Sequence, residues 1–202
     1  MAVEWTAHRF SGGLLVLDIT NTVVLRDDPL RTFDRFSDAG ELPRFAAAAS
    51  LHRSDELGGA RLVCPDADDV VAALVGFREH ADDLFRRSIA GEGFPSARVS
   101  AFAAACGVLM AGCDTVFGRP GAPFGPAGRE VRLQAAAAWS GLSLLCAPEA
   151  RRLRICGNCG WLFVDRSRNG SRLWCDMAVC GNRQKARRHY RRHRHEKEHD
   201  HG

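Results

Sequence analysis

Residues 156–183, CGNCGWLFVDRSRNGSRLWCDMAVCGNR, hold two cysteine pairs, Cys156/Cys159 and Cys175/Cys180, in Cys-x2-Cys-x15-Cys-x4-Cys spacing. Four thiolates complete a tetrahedron around zinc, and two short cysteine loops joined by a hairpin-length spacer bring them together. In residues 156–160 the glycines and Asn158 allow the tight turn that aims two sulfurs at one ion. Between the pairs, residues 161–164 predict a strand, Asn169-Gly170 a hairpin turn and residues 172–174 the returning strand. The second pair leads into a helix beginning near Cys180. Disulfides need an oxidising compartment, and scattered core thiols would not fall at this spacing. Four thiolates leave no open position for a reacting water, so the spacing predicts one structural zinc per chain on Cys156, Cys159, Cys175 and Cys180.

Charge divides the chain around this segment. Residues 151–202 carry 14 Lys or Arg against 5 Asp or Glu, whereas residues 1–150 carry 14 against 19. An acidic body with a basic arm points to a polyanion as the arm's partner. On a wheel of about 100° per residue, Arg183, Lys185, Arg187, Arg188, Arg191, Arg192 and Arg194 fill an arc of about 200°. Val179, Ala186, Tyr190 and His193 take the other side, which the wheel predicts to dock on the zinc hairpin with the cations outward. No acid falls between Asp176 and Glu196, whereas merely solvated helix faces mix signs. The seven cations are therefore the candidate nucleic-acid-binding set, for DNA before RNA, with arginine forks suited to phosphates and guanine edges. A membrane would attract the same charge, but the helix lacks the apolar face that interfacial insertion needs. Trp161, Phe163 and Trp174 could stack on bases, yet a small metal module has little other apolar area for its core, and packing is the preferred reading. His195 and His199 share i, i+4 spacing but lie in a polar tail read as solvated.

The 202 residues and 46% hydrophobic content fit one medium domain plus a small module, with the boundary near 150, after Pro148. Helices are predicted over residues 41–52, from about Pro65 to Ala90, over 96–113 with Ser96 as cap, and over 129–146. Residues 114–128, rich in Gly and Pro, read as a loop. Cys64, Cys106, Cys113 and Cys146 read as reduced core thiols. Asp18 interrupts Leu14-Leu15-Val16-Leu17, and no basic stretch precedes a long apolar run, so neither a signal peptide nor a membrane span is predicted and the cytoplasm is the expected location. Asp18, Asn21 and Thr22 sit inside an apolar segment whose periodicity does not decide between helix and strand. They suit an effector pocket or, on the other reading, turn and capping bonds to nearby backbone.

Arg154, Cys156, Cys159, Trp161, Leu162, Phe163 and Asp165, then Ser167-Arg168, Trp174-Cys175, Met177, Cys180-Gly181-Asn182-Arg183 and Lys185-Ala186-Arg187-Arg188, resemble the CGNR zinc finger family. Upstream, residues 13–22, ending Leu17-Asp18-Ile19-Thr20-Asn21-Thr22, resemble the signature of the ABATE domain that usually precedes this finger, while the proline-rich loop at 118–126 departs from it. The resemblance implies an α+β protein. Residues 1–150 would form a predominantly helical ABATE-like domain that senses an effector or binds a protein partner. Residues 151–202 would form a small treble-clef-like zinc ribbon with a C-terminal basic helix. It also implies a stress-linked transcription regulator. The rival class is a zinc-stabilised interaction module docking an acidic partner. An enzyme is the least supported class: no nucleophile elbow, phosphate loop or paired-carboxylate motif appears, and no histidine lies between Cys159 and Cys175.

Overall fold

The computed structural model describes residues 3–119 and 121–199, the side chains of His189 and of residues 192–199 lying outside the described set. A 3-10 turn at Ala7–Phe10 leads to helix α1 (Leu15–Thr20), in which every residue is buried. An element enclosed on all sides has no polar face, so its sequence shows no clear period. Strand β1 (Val23–Val24) pairs antiparallel with β2 (Phe33–Asp34). Helix α2 (Glu41–His52) occupies the predicted residues, and the one-turn α3 (Ser54–Leu57) ends at Gly58, where φ is +59°. Strand β3 (Arg61–Val63) precedes α4 (Ala67–Ile89), whose Asp68 and Asp69 oppose the positive end of the helix dipole. Helix α5 (Ser96–Ala111) has Pro95, not Ser96, at its cap and makes no side-chain capping bond.

The helix predicted from Arg129 starts instead at Leu133. Residues Glu130–Arg132 form β4, which pairs parallel with β3, and α6 (Leu133–Cys146) follows. Helices α4, α5 and α6 pack in sequence, with α1 laid against α4 and α6. At Gly141 of α6 a Cβ would sit 2.6 Å from Phe102 Cζ, so the missing side chain is what lets α6 approach α5 around Phe77 and Phe102. No described helix is long and apolar enough to cross a membrane.

After a 3-10 turn at Pro148–Arg152, strand β5 (Leu153–Ile155) pairs antiparallel with β6 (Leu162–Val164), in register Arg154↔Phe163. The hairpin therefore closes around the first cysteine pair rather than between the pairs, and no strand forms at residues 172–174. Asp165 is the cause: its buried carboxylate accepts from Ser167 N (2.9 Å) and Arg172 N (2.8 Å), curling the chain into a loop. Burial raises this carboxyl, but the bonds from Ser167 and Arg172 outweigh it and hold it down at about 2. A π-turn at Met177–Gly181 then opens into α7 (Asn182–His199).

The ribbon is built into the body. Leu153, Leu162 and Val164 belong to the main hydrophobic core with α1, α4 and α6. Asn21 donates to Leu162 O and accepts from Leu162 N, both at 2.9 Å, while Val164 N donates to Gly12 O at 2.9 Å. Asp18 accepts from Gly12 N (3.0 Å) and takes Arg53 through Nε (2.5 Å) and Nη2 (3.0 Å). Burial pushes the Asp18 carboxyl up to about 7 against the pull of Arg53. The effector pocket expected at Asp18 and Asn21 is thus corrected. Both side chains bond inside the protein, but mainly to the distant Arg53 and Leu162; of the nearby-backbone bonds the alternative expects, Asp18 makes one, from Gly12 N, and Thr22 one, donating to Ile19 O at 2.7 Å. Among the other cysteines, Cys64 and Cys106 are buried, their thiols pushed up by burial to about 11 and 12. Cys113 is half-buried and Cys146 exposed, so neither is the core thiol expected.

Replacing Asn21 with Ala leaves the buried N–H and C=O of Leu162 without partners, at about 1–3 kcal/mol each. Thermal unfolding should show a loss of several degrees in Tm with zinc content unchanged; an unaltered Tm would mean that water replaces the pair.

Candidate metal centre and basic helix

The sulfurs of Cys156, Cys159, Cys175 and Cys180 lie within 4.8 Å of one another, with Cys159–Cys175 and Cys175–Cys180 each at 3.7 Å. A zinc–thiolate tetrahedron with bonds of about 2.3 Å has edges of about 3.8 Å, so the donor set fits that ion. Three of the four are buried and Cys159 is half-buried. Hydrogen bonds from Cys159 and Cys175 pull Cys156 down, and the bond to Cys156 pushes Cys159 up. A divalent cation removes that competition by holding all four as thiolates. The site is closed and structural.

Local backbone holds each pair in place. Cys156 N donates to Trp161 O (2.8 Å) and Gly160 N to Cys156 O (2.9 Å), closing the first knuckle, with Gly160 at φ +72°. Gly157 N donates to Leu173 O (3.0 Å), which draws the second pair toward the first. Asp176 accepts from Ala178 N (2.8 Å) and Val179 N (3.2 Å), and its carbonyl from Cys180 N and Gly181 N, so it caps the π-turn that carries Cys180. His8 joins the body to this cap: its Nδ1 lies 3.0 Å from Asp176 Oδ2, and its ring stacks 5.3 Å from Trp161.

The three aromatics separate. Trp161 and Phe163 are buried with the ligands, as packing predicts. Trp174 is half-buried and lines a cavity of about 390 Å³ beneath α7, with Leu173, Met177, Gly181, Gln184 and Lys185 among its other walls. The sequence places Leu173 in the predicted returning strand and Met177 among the family-like residues, with no binding role for either; they are 64% and 53% exposed.

The orientation of α7 differs from the wheel's expectation. Ala186 and Tyr190 of the predicted docking side are exposed, while Gln184 and Arg187 reach the knuckle at Gly157 O (3.4 Å) and Asn158 Oδ1 (3.5 Å). The metal explains this. Cys180 must face the ion, and residues four, seven and eight further on share its side of a helix. The helix therefore leans on the ribbon through the middle of the cationic arc.

Arg183, Lys185, Arg188 and Arg191 are exposed, and no Lys or Arg of residues 151–191 forms an ion pair among the described residues. In the body the opposite holds: Arg26, Arg53, Arg78, Arg86, Arg87 and Arg132 each pair with a carboxylate. Arg192 and Arg194 lie on α7, with side chains outside the described set.

Residues 152–193 match the family model of the CGNR zinc finger. That match stops short of residues 1–151, so the ABATE likeness of residues 13–22 stands on those residues alone. Comparison with curated proteins and with solved structures found no match.

Two anchors of different kind make metal removal informative. In hydrogen exchange after chelation, the amides of residues 174–191 should lose protection. Leu162 and Val164, bonded to Asn21 and Gly12, should keep theirs. Cys180→Ser should reproduce the pattern. A helix α7 still protected without metal would show that zinc does not hold it.

Proposed function

We propose that this chain is a transcription regulator that binds nucleic acid, DNA before RNA, through the cationic helix of its zinc finger. In this reading it is a binding protein of the cytoplasm rather than an enzyme, and the body of residues 1–150 supplies the sensing or partner-binding part. The supporting observation is the contrast in pairing. The body pairs most of its arginines with its own carboxylates, whereas the cations of α7 form no ion pair among the described residues and stand on a helix whose rotation the Cys180 ligand sets. Unpaired arginines and lysines along one rigid rod present their charge at spacings that phosphates can meet.

The reading predicts a steep salt dependence. With about four or five phosphates engaged, log affinity for duplex DNA should fall against log salt with a slope near −4. Replacing Arg187 and Arg191 together with Ala should make the slope shallower by about 2 and weaken binding to all sequences alike. Zinc-loaded protein with no measurable affinity for DNA or RNA at low salt, but with saturable binding to an acidic protein, would put the interaction-module alternative in its place.

A further inference from the structure

The cavity beneath α7 combines two features that a helix built only to grip phosphates would not need. Its walls include the Trp174 ring and the apolar side chains of Leu173 and Met177, both more than half exposed. Its rim carries Arg172, Lys185 and Arg188, and no acid is among its lining residues. Arg172 is partly engaged, donating to Cys175 O (2.7 Å) and lying 5.7 Å from the Phe163 ring centre. Lys185 and Arg188 form no ion pair among the described residues. A volume of about 390 Å³ falls within the range of about 300–1,000 Å³ typical of small-ligand sites.

We infer that this groove seats an unpaired nucleobase, with its flanking phosphates on Lys185 and Arg188, so that the finger prefers single-stranded to duplex nucleic acid. The inference rests on the nucleic-acid reading and deepens it. An apolar wall with one aromatic ring suits a flat π-surface, and the all-cationic rim demands negative charge beside it; a nucleotide supplies both within one residue of chain. Ser171 and Gln184, also in the lining, offer hydrogen bonds to a base edge. A base inside a duplex is covered on both faces by its neighbours and shows only its edges in the grooves. Trp174, recessed between the ribbon and α7, is reached only by a base that is out of the stack.

The test uses the full zinc-loaded chain and a short oligonucleotide carrying one 2-aminopurine, as a single strand and annealed to its complement. The single strand should bind about tenfold more tightly than the duplex, with its fluorescence quenched on binding. Trp174→Ala should abolish the quench and most of the preference. Because Trp174 also packs within the finger, the double variant Leu173→Ala/Met177→Ala at exposed positions provides an independent check and should reduce the preference severalfold. The zinc content of each variant reports that the finger is intact. Lys185→Ala/Arg188→Ala should weaken both forms. Equal affinity for the two forms with unquenched 2-aminopurine would overturn the groove proposal while leaving nucleic-acid binding by α7 in place. Binding of neither form would overturn both. An apolar acidic peptide that binds at Trp174 with no competition from the single strand would assign the groove to a protein partner and overturn the proposal as well.

Discussion

Four thiolate–zinc bonds take the place of the hydrophobic core that the C-terminal segment lacks. The segment's own buried cluster is Cys156, Trp161, Phe163, Cys175 and Cys180, and three of those five are ligands. Structural zinc in finger-sized modules contributes about 10–16 kcal/mol at neutral pH, far more than two buried aromatics. The metal also sets direction. Since Cys180 sits one residue before the end of the π-turn that opens α7, its bond to zinc fixes the rotation of the whole helix. That rotation decides which cations overhang the ribbon and which face solvent.

A second set of contacts ties this metal-built unit to the helical body. Asn21 completes the hydrogen bonding of Leu162, Gly12 that of Val164, and Arg86 donates to Gly160 O at 2.8 Å beside the first knuckle. His8 reaches the Asp176 cap from the opposite end of the sequence. These are buried or half-buried polar bonds whose loss leaves unsatisfied groups, so they resist separation more than their number suggests. The finger is thus presented at a fixed attitude. The charge division follows the same architecture: the ion pairs of the body join its carboxylates to its own arginines, and among the described residues no carboxylate pairs with a cation of α7.

What the sequence reveals, it reveals through local chemistry. The ligands are legible because a tetrahedral ion dictates their spacing, and α2 and α4 because their boundaries carry glycine and acidic signals. Pairings between distant segments are not. β4 reads as the start of a helix until β3, far upstream, claims its backbone, and β6 pairs with β5 rather than with residues 172–174 because Asp165 curls the intervening chain. Asp18 and Asn21 look like an open polar site because nothing local announces that Arg53 and Leu162 will consume them. The rotation of α7 was within reach: the wheel of apolar and basic residues had only to be anchored at Cys180, whose ligand role is itself legible. Hydrophobicity was the weaker guide there, since one metal bond outweighs the docking of Ala186 and Tyr190.

A closed four-sulfur zinc site holds the ribbon, the loop and α7 in one geometry. X-ray absorption at the zinc edge of the purified 202-residue chain measures this directly. Four sulfur neighbours at about 2.3 Å, with no shell of lighter atoms, is the predicted result. A first shell containing nitrogen or oxygen, or a folded chain carrying no stoichiometric zinc, would contradict it.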